Sequence, residues 1–92
     1  MLFEVTTARY LKDYQIELHF EDGASGTVDL AHHMEQGTIL EQLRDKNLFK
    51  SFQIEYGTLT WKNGELDIAP ETLYVEATGR EVTYGHPAGL AS

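Results

Sequence analysis

A chain of 92 residues, 41% hydrophobic and 11% aromatic, folds as one domain with a modest core, since a domain of this length buries only about 60% of the surface its unfolded chain exposes. Fifteen acidic against seven basic side chains give a formal charge of -8, which disfavours nucleic acid and anionic membrane and favours a basic protein as partner. The absence of cysteine excludes disulfides, thiolate metal sites and cysteine nucleophiles, and without a signal-peptide pattern or an apolar run near the roughly 20 residues of a membrane span, the expected location is the cytoplasm.

Residues 2 to 10 mix β-branched and aromatic side chains in rough alternation and predict a first strand. Tyr14, Ile16, Leu18 and Phe20 then alternate with Gln15, Glu17 and His19, the period of two that marks a strand with one buried face. Gly23 and Gly26 are expected to supply the backbone angles of a turn before a third strand, in which Val28 and Leu30 face inward. Residues 1 to 30 thus read as an antiparallel meander.

Asp29 is placed to cap a short helix that Gly37 terminates. Thr38 followed by Glu41 predicts a capping box opening a second helix, with Ile39, Leu40 and Leu43 as its buried stripe and Arg44 near the negative end of its dipole. Leu48, Phe49 and Phe52 predict a further helical turn that adds aromatics to the core. Phe52, Ile54 and Tyr56 are expected on one face of a strand that turns at Gly57 and returns through Leu59 and Trp61.

Asn63 and Gly64 tolerate positive φ, so the chain reverses again and brings Leu66 and Ile68 back to the core. Pro70 suits the first turn of a helix, where its missing N–H has no partner to lose, and Glu71 is favoured there by the dipole. Leu73 packs downward while Tyr74 keeps a polar tip. The expected domain spans residues 1–76, with 77–92 as a flexible tail and a brief strand at 81–84. The fold class is α+β, an antiparallel β-meander and β-hairpin packed against two or three short helices.

A catalytic centre needs a nucleophile or acid–base pair in reach of each other within a water-excluding pocket, and no motif here announces one. Ser25, Ser51 and Ser92 sit in no Gly-x-Ser-x-Gly elbow. Asp67 and Glu71 can be read as paired carboxylates, or more simply as groups serving a helix start. His32 and His33, being adjacent, are expected to diverge and not to close on one ion, so no metal is expected. Glu21, Asp22 and Asp29 flank Gly23 to Gly26 and argue against a phosphate cradle. The densest cationic stretch, Arg44, Lys46 and Lys50, is interrupted by Asp45 and reads as a solvated edge. Trp61, Asp67, Pro70 and Tyr74 are either packing and turn residues or, for the aromatics, anchors of a protein interface.

The blocks FEDGASGTVDL, ILEQLRDKNLFKSFQIEYGTLTW and NGELDIAPETLY together resemble the domain-of-unknown-function family DUF2442. The most specific part is W-x-N-G-x-x-D-[IL]-x-P-E-x-L-Y, represented by Trp61, Asn63, Gly64, Asp67, Ile68, Pro70, Glu71, Leu73 and Tyr74, with Leu66 setting the aspartate one residue later than in many relatives. The resemblance implies an α+β fold with no known enzyme activity and no cofactor. Short relatives are often encoded beside a second small protein, in an arrangement like a toxin–antitoxin pair. Longer ones carry a helix-turn-helix domain that the 18 residues after Tyr74 are too few to form, so direct nucleic-acid binding is not expected.

The expected function is a non-enzymatic interaction module, antitoxin-like, for a basic protein partner. Trp61, Asp67, Glu71 and Tyr74 are its candidate contacts, framed by Asn63, Gly64 and Pro70. A homodimer through an open sheet edge is a further expectation. The alternative is a small-ligand-sensing regulatory domain that acts through dimerisation.

Overall fold

The computed structural model describes residues 3–79. Strands β1 (Val5–Lys12), β2 (Gln15–Phe20) and β3 (Ser25–Asp29) form an antiparallel meander in that order. A second antiparallel sheet has β4 (Gln53–Glu55), β5 (Thr58–Trp61) and β6 (Leu66–Asp67), again in chain order. Between the sheets the chain makes two 3-10 segments, Ala31–His33 and Ile39–Arg44, and the short helix α1 (Lys46–Phe49). Helix α2 (Pro70–Thr78) follows β6 and packs on β3. This is the α+β fold that the sequence pattern predicts.

The two sheets join through the backbone, where Val5 N–H donates to the Gly57 carbonyl at 2.8 Å. One core runs through both. Ile16, Leu18, Phe20, Val28 and Leu30 enter it from the meander, and Leu59, Trp61, Leu66 and Ile68 from the second sheet. Leu43 and Phe49 close it from the middle of the chain and Leu73 from α2. Among the described residues no helix is long and apolar enough to cross a membrane.

Four local expectations are corrected. Gly26 does not serve a turn: it lies within β3, and a Cβ there would stand 1.9 Å from the Ala77 carbonyl oxygen. Close approach of strand to helix, not backbone angle, is what requires glycine. The capping box does not close either, because Thr38 Oγ1 donates to the Glu35 carbonyl while Glu41 accepts from the Gly37 N–H. The segment that follows is 3-10, and three residues per turn align Leu40 with Leu43 and rotate Ile39 outward, where it is 70% exposed. Tyr56 leaves its strand for the turn, taking φ 54° beside Gly57 at φ 76°, and is 93% exposed.

Fourth, the expected boundary at residue 76 falls inside α2, which continues to Thr78 and ends at Gly79 in the left-handed conformation. Pro70 occupies the start of that helix as predicted. The short helix expected from Asp29 to Gly37 is reduced to the single turn Ala31–His33, whose N-cap is Leu30 and which ends at Met34; the Asp29 carboxylate accepts the Ala31 N–H at 3.0 Å without capping it. The tail beyond residue 79, including the expected strand at 81–84, lies outside the described residues.

Candidate functional site

Residues 62–65 form the turn that the Asn-Gly pair predicts. Lys62, Asn63 and Gly64 all take positive φ (55°, 58° and 90°), and Gly64 N–H donates to the Trp61 carbonyl at 3.1 Å. The reversal lays β6 against β5 in a register that pairs Trp61 with Leu66 and Thr60 with Asp67. Because strand side chains alternate, Trp61 and Leu66 face the core while Thr60 and Asp67 share the other face. On the far side of β5, Thr60 pairs with Gln53, and its hydroxyl donates to the Glu55 carboxylate at 2.8 Å. Thr58 Oγ1 donates to the Ile68 carbonyl. The face of the second sheet opposite Trp61 is therefore polar, with Glu55 and Asp67 on either side of Thr60, and Thr58 and Thr60 at its centre are themselves buried.

The candidate contacts divide sharply. Trp61 is 1% exposed, stacks on Phe49 with ring centroids 6.0 Å apart, and donates its indole N–H to the Phe49 carbonyl at 2.8 Å. It offers nothing to a partner, which corrects its reading as an exposed anchor: an indole with its N–H satisfied inside a small core is the largest apolar group that core has. Tyr74 is 8% exposed, edge-on to Phe20 at 5.0 Å, and its hydroxyl donates to Asp22 Oδ2 at 2.6 Å. It ties α2 to the turn between β2 and β3.

Asp67 and Glu71 do not cap α2, whose N-cap is Ala69 without a side-chain hydrogen bond. Asp67 is exposed and Glu71 half-buried. Among the described residues neither side chain makes a hydrogen bond or ion pair, and the same holds for Glu21, Glu35 and Glu65. Among the described residues every cation but Lys12 is engaged within the chain. Arg9 pairs with Glu17 at 3.2 Å and Lys46 with Asp13 at 3.3 Å. Arg44 donates to the Met34 carbonyl, Lys62 donates to Gln42, and Lys50 stands 5.2 Å from the centre of the Tyr10 ring.

A second constellation lies on another part of the surface. His32 and His33 do not diverge as adjacency suggested, because both imidazoles turn toward the last turn of α2. His33 Nε2 lies 2.7 Å from Glu76 Oε2, His32 Nε2 lies 3.3 Å from Glu76 Oε1, and the two ring centroids are 4.2 Å apart. Side-chain torsions, which sequence spacing does not fix, bring them together. No local signal in the sequence ties Glu76 to this pair, because 43 residues separate it from His33 and the packing of α2 on β3 is what makes them neighbours.

The family model described as "Protein of unknown function (DUF2442)" matches residues 5–79. No curated protein and no solved structure matches the chain.

Proposed function

We propose, since the chain belongs to the DUF2442 family and its surface charge is lopsided, that it is a cytoplasmic, non-enzymatic interaction module for a basic protein, in the antitoxin-like arrangement that short relatives imply. The observation that carries this reading is that, among the described residues, only Lys12 of the cations lacks a partner, while Glu21, Glu35, Glu65, Asp67 and Glu71 all lack one. Arg9, Arg44, Lys46, Lys50 and Lys62 are held by partners within the chain, whereas Glu65, Asp67 and Glu71 have none among the described residues. Such a surface raises the encounter rate with a cationic partner and discriminates against anionic ones.

The contact surface is accordingly the exposed rim of the second sheet together with the start of α2. Glu55, Glu65, Asp67 and Glu71 supply charge, and the exposed ring of Tyr56 supplies apolar area. Trp61 and Tyr74 act from behind it, as packing. The test is co-expression with the product of the neighbouring gene, followed by titration of the purified pair. The expected outcome is a complex whose association slows as salt is raised. Reversing charge in Asp67→Lys with Glu71→Lys slows association by about tenfold or more, with dissociation little changed. Failure of the native proteins to associate at low salt defeats the reading.

A further inference from the structure

We infer that His32, His33 and Glu76 form a binding site for a divalent transition-metal ion of the zinc class. Three ligand atoms, one from each residue, lie within 4.8 Å of one another. Tetrahedral zinc with bonds of about 2.0 to 2.2 Å to nitrogen and oxygen sets its ligands roughly 3.3 Å apart. The nearest contacts run to different oxygens of one carboxylate, 3.3 Å from His32 Nε2 to Oε1 and 2.7 Å from His33 Nε2 to Oε2, so modest side-chain rotation suffices to set one atom of each residue at that spacing. The remaining edge closes by rotation of the His32 side chain, which is 61% exposed and free to turn.

The arrangement suits an ion in three further ways. Each oxygen of one carboxylate faces a different imidazole nitrogen, and no lysine or arginine among the described residues pairs with Glu76. Two nitrogen donors with one carboxylate select borderline metals such as zinc, nickel or cobalt over magnesium and calcium, which prefer oxygen. The side chains of His33 and Glu76 are 23% and 26% exposed, so an ion can enter from solvent, and water completes its coordination. The ligands come from two elements, the Ala31–His33 turn and α2, so a bound ion cross-links them.

The test uses the full chain after chelator treatment, titrated with zinc chloride by calorimetry and with cobalt chloride in the visible range. One equivalent of zinc is expected to bind, with cobalt giving the absorption of a low-symmetry site. His32→Ala removes a ligand without touching the core. Losing even an outer partner of a ligand costs about 10- to 100-fold in affinity, so His32→Ala, His33→Gln and Glu76→Gln are each expected to weaken zinc binding by at least about tenfold. Circular dichroism establishes that each variant is folded. Absence of uptake by the native chain at millimolar zinc, or equal uptake by the folded His32→Ala and Glu76→Gln variants, overturns the assignment.

Discussion

Residues 61–74 and the cluster of His32, His33 and Glu76 use their distinctive side chains in opposite ways. In the first region the conspicuous residues are consumed by the fold: Trp61 and Tyr74 are buried, and their polar atoms are bonded to Phe49 and Asp22. In the second, three ionisable groups meet at the surface, and none belongs to the family's most specific block. A sequence motif can thus mark a scaffold, while convergent chemistry arises where the motif is silent. The difference follows from size, since a small domain has few large apolar groups to spend and places them where turns fix their direction.

The strongest way to break this comparison is to truncate Trp61. Trp61→Ala removes the largest buried side chain and strands the Phe49 carbonyl that accepts its N–H, so a loss of about 3 to 5 kcal/mol is expected. That is a large share of the roughly 5 to 15 kcal/mol typical of such domains. Urea denaturation measures it, and a loss below about 1 kcal/mol would mean that Trp61 is not part of the scaffold. Next comes Gly26→Ala. Its new methyl group meets the Ala77 carbonyl, so β3 and α2 must part, at a cost of about 1 to 3 kcal/mol. The same displacement carries Glu76 away from His33, so this one substitution is also expected to weaken zinc binding.

Gly26 marks the limit of what local sequence encodes. The alternation of Ile16, Leu18 and Phe20 announced a strand because period two is a local property, and the reversal at Asn63 and Gly64 was legible because positive φ is a local demand. Whether a glycine serves a turn or a close approach depends on what packs over it, here Ala77 of α2, which lies too far along the chain for any local rule to reach. Thr38 and Glu41 spelled a capping box, but each found a nearer partner in Glu35 and Gly37, and the resulting 3-10 geometry turned Ile39 out. The convergence of His32 and His33 on Glu76 was invisible for the same reason as Gly26. Both depend on α2 lying across β3.

Tyr74→Phe sharpens the comparison at a smaller scale. It keeps the edge-on packing against Phe20 and deletes only the hydroxyl that donates to Asp22, so a loss of about 1 kcal/mol is expected. For a domain of this size that corresponds to a fall of roughly 4 to 8 °C in Tm. A larger fall would show that the ring, and not only its tip, had shifted.

The smallest expected effect on stability separates scaffold from surface most cleanly. Glu65→Gln, Asp67→Asn and Glu71→Gln combined remove three charges that have no partner among the described residues, and the change is expected to stay within about 0.5 kcal/mol. Any shift should be stabilising, because the chain carries a formal charge of -8 and shedding negative charge relieves self-repulsion. Association with the basic partner should slow at low salt and approach the native rate as salt screens both proteins. If the triple variant instead unfolds readily, these carboxylates hold the fold, as Trp61 and Tyr74 do, and the division between buried motif and charged surface fails at its centre.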